Sequence, residues 1–377
     1  MKKFKKVLVL SASAGAGHVM AANALVKAFN AADAAQEIFH LDTLQYTTKA
    51  FRNLYSKAYI EMANNAPEVL GWLYDAMDKP WKNEKRMRAL ERLNVGLFMR
   101  LLKRHQPDLV VNTHFLPADI ISYLRKKEKL TCKQAVVITD FDIHAMWLNR
   151  SVEQYFVACE EARVYLNKLG VPHEHIATTG IPVDAVFSQQ KNKQEMRKKY
   201  GLQPDTTTIL ISAGGFGVGN MANMIESLAD MEHPAQVLAM CGRNEELFQN
   251  VQERRKQKNG SKVTFHAVGF TTNMDEYMSA SDIMIGKPGG LTTSEALAKG
   301  LAMVIVNPIP GQEERNSDYL LENGIAVKCN NLPTLAYKID SLLSNPTRLQ
   351  SMRNAALANS HPDAAQQIVQ QLLHSML

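Results

Sequence analysis

The chain has 377 residues, enough for about two domains. Its 46% hydrophobic and 21% charged residues exclude a disordered chain and allow a sizeable core. Cys132, Cys159, Cys241 and Cys329 are far apart in the sequence, with no CxxC or Cys/His pairing, which excludes a disulfide framework or structural zinc and points to a reducing compartment. The charge is uneven: residues 1–185 carry 25 Lys/Arg against 19 Asp/Glu, whereas residues 186–377 carry 18 of each. That basic excess suits an anionic membrane surface or a nucleic acid.

At the N-terminus a four-residue apolar segment, Val7 to Leu10, is too short for a signal peptide and predicts a buried first strand. No apolar run approaches the roughly 18 residues needed to span a bilayer, so a cytoplasmic protein is expected. β-branched runs then alternate with helical patterns. In the first half the expected strands are Val7–Ala12, Glu37–Leu41, Leu109–Thr113, Ala135–Thr139, Gln154–Ala158 and Ile176–Thr179. In the second half they are Thr208–Ser212, Gln236–Met240, Val263–Val268, Ile283–Ile285, Ala302–Val306 and Ile325–Lys328. Two such series predict an α/β protein of two Rossmann-like domains with parallel sheets facing a central cleft. Residues 1–184 form the first, 185–360 the second, and 361–377 a C-terminal helix able to cross back to the first.

The first strand runs into Ser11–His18 (SASAGAGH), and a helix is predicted over Val19–Phe29. Gly15 and Gly17 permit a tight turn against a ligand. A dinucleotide fingerprint needs a third glycine where Met20 stands, which disfavours an NAD enzyme although Asp42 ends the second strand. His18, at the helix start, is a candidate general base held neutral by the positive helix end. Asp140, in Thr139-Asp140-Phe141 after a later strand, competes with it or pairs with it.

Between them, residues 49–104 hold 12 basic against 6 acidic side chains and break the alternation. Phe51, Leu54, Tyr55, Ala58, Tyr59 and Met62 form one helical stripe. Trp72, Leu73, Tyr74, Met77 and Trp81 follow, then Lys82, Lys85, Arg86, Arg88 and Arg92. Two readings stand: helices packed on the sheet with solvated basic faces, or docking to an anionic membrane through aromatic side chains and lysines. No nucleic-acid module accompanies the basic residues.

The second half places ligand-type turns at successive strand ends. Ser212–Asn220 (SAGGFGVGN) contains Gly215 and Gly217. Gly242, Arg243 and Asn244 follow the next strand, where Arg243 can pair with phosphate. Phe270 and Met274 can frame a flat base. Lys287-Pro-Gly-Gly-Leu-Thr-Thr-Ser-Glu295 then puts Gly290, Leu291, Thr292 and Thr293 at a helix start, a natural phosphate seat, with Glu295 one turn on to meet a ribose. Pro310, Gln312, Glu313 and Asn316 follow a further strand, where Gln312 and Glu313 can reach a second sugar. Phosphate, ribose and a second sugar together describe a nucleotide sugar.

These motifs resemble those of the diacylglycerol glycosyltransferases, the group of monogalactosyldiacylglycerol synthases and processive diacylglycerol glucosyltransferases. The likeness runs from residue 11 to 316. It implies a GT-B fold, the acceptor on the first domain and the UDP-sugar on the second. It further implies Glu295 on the ribose, Gly290 to Thr293 on the diphosphate, Phe270 and Met274 on the uracil, and Gln312 and Glu313 on the hexose. An inverting reaction follows, with no bound metal and no cofactor beyond the co-substrate. The expected partners are UDP-glucose or UDP-galactose, diacylglycerol and an anionic membrane, with the enzyme peripheral on the inner face of the cell membrane. The alternatives are an N-acetylglucosaminyltransferase acting on a polyprenyl-linked acceptor, a UDP-N-acetylglucosamine 2-epimerase, and a non-catalytic UDP-sugar sensor.

Overall fold

The computed structural model describes residues 3–13, 15–49, 51–53, 61–62, 65–81, 96–212, 221–256 and 262–377. The chain forms two compact units: Met1–Ala185 with Ile309–Arg315 and His361–Leu377, and Val186–Pro308 with Asn316–Ser360.

The first unit comprises β1 (Phe4–Ser11), α1 (Ala16–Ala31), β2 (Ala35–Asp42), α2 (Pro67–Met77), β3 (Leu109–Asn112), α3 (Phe115–Lys126), β4 (Lys133–Val137), β5 (Gln154–Val157), α4 (Glu160–Lys168) and β6 (Ile176–Thr178). Its sheet has the order β2-β1-β3-β4-β5-β6, and each pairing is parallel. Parallel strands covered on both faces read as continuous apolar runs, as in Val7 to Leu10. Their side chains alternate. Val7 and Val9 join a core with Leu25 and Phe29 of α1 and with Ile368, Val369 and Leu372 of the C-terminal helix. Leu8 and Leu10 face the other core, with Phe98, Leu116, Ile120 and Ile121.

The second unit comprises α5 (Lys193–Lys199), β7 (Thr207–Ser212), α6 (Met221–Leu228), β8 (Ala235–Gly242), α7 (Glu245–Lys256), β9 (Val263–Gly269), α8 (Met274–Ala280), β10 (Ile283–Gly286), α9 (Gly290–Ala298) and β11 (Ala302–Val306). It continues through α10 (Gln312–Glu322), whose first turn counts with the first unit, to β12 (Ala326–Cys329), α11 (Leu335–Leu343) and α12 (Pro346–Ala358). The sheet order is β12-β11-β10-β7-β8-β9, again all parallel. This is the Rossmann order, with its switch point between β7 and β10, where ligands of such sheets bind. In the first sheet the corresponding point lies between β1 and β3. Among the described residues, no helix is long and apolar enough to cross a membrane.

Candidate active site

At the switch point of the first sheet, α1 starts after Gly15, an extended-backbone cap that offers no side-chain acceptor. The helix begins three residues earlier than the sequence suggests, so Gly17 and His18 both sit in its first turn. His18 Nδ1 lies 3.0 Å from the Thr113 carbonyl oxygen and 2.9 Å from Thr139 Oγ1. A carbonyl can only accept, so Nδ1 carries the hydrogen and Nε2 keeps its lone pair. Thr113 reciprocates, its hydroxyl donating to the His18 carbonyl at 2.9 Å. His114 packs edge-on to the ring with centroids 4.6 Å apart, and Trp147 lies 6.4 Å away.

His18 is half-buried, and its surroundings desolvate the ring. Burial lowers its pKa from 6.5 to about 4, against a smaller opposing pull from the Thr113 bond. The sequence argument for a neutral histidine rested on the positive helix end; burial is instead the leading cause. His114 is pushed well below its ordinary value, first by burial and then by His18.

Asp140 follows β4, a strand paired to β3, and is 5% exposed. Its Oδ1 accepts a 2.7 Å bond from Gln312 Nε2. Pro310 lies against Gly71, and Gly311 (φ +85°) lies under the Tyr74 ring. Arg315 Nη1 contacts Asp78 Oδ2 at 2.8 Å and Asp142 Oδ2 at 2.9 Å.

In the second unit, β7 and β10 end side by side. A Cβ added at Gly286 would meet the Ser212 oxygen at 2.9 Å. Lys287 then leads to Gly289, an extended cap with no side-chain bond, and α9 begins at Gly290. Gly290, Leu291 and Thr292 make its first turn, Thr293 follows, and Glu295 is its sixth residue, half-buried. The Thr293 hydroxyl is buried without a hydrogen-bond partner. Gly242 turns the end of β8 with φ +57°. Beyond it, the Arg243 guanidinium lies 4.8 Å over the ring of Phe270, which is 65% exposed. Met274 is the first residue of α8.

The Monogalactosyldiacylglycerol (MGDG) synthase family profile matches residues 18–183, and that of Glycosyl transferases group 1 matches residues 192–358. A processive diacylglycerol beta-glucosyltransferase of Bacillus mycoides (strain KBAB4) is 31% identical over 99% of this chain and 94% of its own length. The chain belongs to this glycosyltransferase family. Among solved structures, Acinetobacter baumannii MurG matches with a TM-score of 0.66 at 18% identity, covering 99% of this chain and 100% of its own. The UDP-GlcNAc 2-epimerase of Neisseria meningitidis matches with a TM-score of 0.60 at 15% identity, covering 98% of this chain and 100% of its own. These likenesses establish the GT-B type of fold for this glycosyltransferase.

Other residues expected at the site of this glycosyltransferase also make local contacts. Asn244 caps α7, its Oδ1 accepting from Leu247 N at 3.0 Å. Glu313 Oε2 accepts from Ile309 N at 2.7 Å. Asp42, considered as a ribose acid, instead holds the amides of Ser13 and Leu44. Asn316 is fully buried in α10. Phe51 packs on the first unit's core rather than facing outward. Trp81 turns inward too: its indole donates to the Leu169 carbonyl at 2.9 Å, and Arg150 covers the ring at 5.0 Å. Trp72 is 69% exposed and has the exposed Val69 beside it on α2. Gly215, Gly217, Tyr55, Tyr59, Lys82, Lys85, Arg86 and Arg88 lie outside the described residues.

Sequence reasoning missed Thr113, whose carbonyl fixes the His18 tautomer, and Thr139, whose hydroxyl also meets Nδ1, as well as Arg315. The two threonines had a readable signal, since each stands just past an apolar run on the same sheet edge.

Proposed function

We propose that this glycosyltransferase moves a hexose from a UDP-sugar to diacylglycerol, forming a β-glycosyl lipid by single displacement. Glucose is expected over galactose, because the similar proteins are named glucosyltransferases. The observation that carries the reading is the placement of two glycine-capped helix starts, each at the switch point of its own sheet: one bears His18, the other Gly290 to Glu295. The first supplies a base and the second an anion seat.

In this scheme the acceptor hydroxyl gives its proton to His18 Nε2 or to Asp140. Its oxygen forms a bond to the anomeric carbon as the bond from that carbon to the phosphate oxygen breaks. UDP leaves with the electron pair. Arg243, Lys287 and the amides of Gly290 to Thr293 offset the charge on the diphosphate, and Glu295 accepts from the ribose hydroxyls. Phe270, stacked with Arg243, gives the uracil a flat face, with Met274 beside it. Gln312 serves the hexose as well as Asp140. No metal or cofactor enters the scheme. The same reading puts the enzyme on the inner face of the cell membrane, with Trp72 at head-group depth and the basic excess of residues 49–104 favouring anionic lipid.

The test is incubation with UDP-glucose, UDP-galactose or UDP-N-acetylglucosamine in diacylglycerol micelles, with mass analysis of both phases. A hexosyl lipid lost in His18→Ala supports the proposal. A converted nucleotide sugar with no lipid product would establish the epimerase reading. UDP binding without turnover of any donor would establish the sensor.

A further inference from the structure

Two cross-links join the loop after β4 to the start of α10 within the first unit. Gln312 and Arg315 are three residues apart and so share a helix face. Asp140 and Asp142 are two apart in the loop. Gln312 Nε2 donates to Asp140 Oδ1 at 2.7 Å, and Arg315 Nη1 donates to Asp142 Oδ2 at 2.9 Å. The two bonds form a ladder with one neutral rung and one ionic rung, and the ionic rung is the stronger kind.

The ionic rung is anchored at a third point. Asp78, just past the end of α2, accepts from Arg315 Nη1 through Oδ2 at 2.8 Å and from the amide of Ala145 through Oδ1 at 2.8 Å. One carboxylate therefore ties Arg315 to the far end of the loop that begins at Asp140. Asp75 approaches Nη2 at 3.4 Å from a more exposed position. The Tyr74 ring lies 5.2 Å under the guanidinium. Arg315 is only 28% exposed, so solvent screens these contacts less than it would a surface pair. Without the guanidinium, Asp78 and Asp142 would face each other as like charges, and the loop carrying Asp140 would be pushed off α2.

We propose that Arg315 is a positioning residue for the transfer reaction, setting the register in which Gln312 meets Asp140. The proposal rests on the reading above that Asp140 and Gln312 belong to the reacting site. Small misplacements of such groups cost up to about a hundredfold in rate. A displaced loop with its backbone otherwise intact is expected to cost about tenfold here, on the same reasoning.

The test is a double-mutant cycle of Arg315→Ala with Gln312→Ala in the full chain, reading kcat with UDP-glucose and diacylglycerol micelles. Calorimetry with UDP and hydrogen exchange at residues 140–145 of the protein alone run beside it. The expected result is that Arg315→Ala lowers kcat about tenfold but lowers it less than about twofold when Gln312 is already alanine. UDP affinity stays within about twofold, exchange at 140–145 quickens about tenfold, and Arg315→Lys recovers part of both losses. Equal losses in the two backgrounds, or a parallel fall in UDP affinity, would overturn the proposal. Unchanged exchange in Arg315→Ala, with Asp140→Asn inactive, would overturn it while leaving the functional reading intact. Full activity of Asp140→Asn would remove Asp140 from the reacting site and overturn this proposal, leaving His18 as the base of the functional reading.

Discussion

Lowering the pH from 7.5 to 5.0 should destabilise the first unit, without unfolding it, by a route that runs through His18. In the folded protein, burial holds this imidazole near a pKa of about 4; in the unfolded chain it returns to 6.5. Between those values the unfolded chain binds the proton and the folded one does not. Stability is therefore complete above pH 6.5 and falls as the pH drops toward 4. At pH 5 the deficit spans 1.5 pH units, each about 1.4 kcal/mol, so His18 alone removes about 2 kcal/mol. His114 shifts in the same direction and adds to the loss.

All three tryptophans, Trp72, Trp81 and Trp147, lie in the first unit, so their fluorescence reports its unfolding in urea. The His18→Gln variant should show a pH-dependence shallower than the parent by about 2 kcal/mol over the same interval. The same depressed pKa keeps Nε2 unprotonated, so kcat/KM should stay flat down to about pH 5 rather than bending near 6.5. Identical pH slopes in parent and variant, together with an acid limb at the ordinary histidine value, would refute the desolvated, Thr113-held imidazole.

Three more outcomes can be measured separately. Glu295→Ala should weaken UDP at least about tenfold by calorimetry, which is about 1.4 kcal/mol; undiminished affinity would remove this residue from the ribose. Gly286→Ala forces a Cβ to within 2.9 Å of the Ser212 backbone oxygen, and should cost about 1–3 kcal/mol in second-unit stability, read by hydrogen exchange in β7 and β10. Trp72→Glu should lower cosedimentation with phosphatidylglycerol-containing vesicles about tenfold while leaving the urea midpoint unchanged; equal binding would take α2 out of the membrane contact.

The strands were the most legible part of the sequence, and the reason lies in burial. A parallel strand covered on both faces is apolar at most positions, so Leu8 to Leu10 or Met303 to Val306 can hardly be read otherwise. Glycine turns after such runs were legible too, because a chain that leaves a strand and at once starts a helix must reverse within a few residues. Polar residues at strand ends were not. Asn244 and Glu313 stand where ligand-binding groups stand, and each also accepts from a backbone amide nearby. A side chain that caps and one that binds a sugar need the same chemistry, and only geometry separates them. The partners of His18 and Arg315 were hidden by distance along the chain, since Thr113 is 95 residues from His18 and Asp142 is 173 from Arg315.

The helix caps carry one further distinction that stability alone does not account for. His114, Asn192 and Asn345 cap α3, α5 and α12 with side-chain acceptors. α2, α4, α8 and α11 start without a side-chain cap bond from a residue that has a side chain, whereas among the described caps α1 and α9 start after a glycine, Gly15 and Gly289, which can supply none. Gly289 has φ −65° and ψ 140°, a conformation open to any residue, so backbone freedom does not demand glycine there. An acidic side chain at that position would satisfy first-turn amides and complement the helix dipole, gaining about 0.5 kcal/mol. It would also put a negative charge where the diphosphate is proposed to sit. Gly289→Asp should therefore hold or raise the stability of the second unit while weakening UDP at least about tenfold. Stability and affinity moving in opposite directions is an outcome that mere damage to the fold cannot produce. Should UDP bind Gly289→Asp as tightly as the parent, the α9 amides would not be its seat.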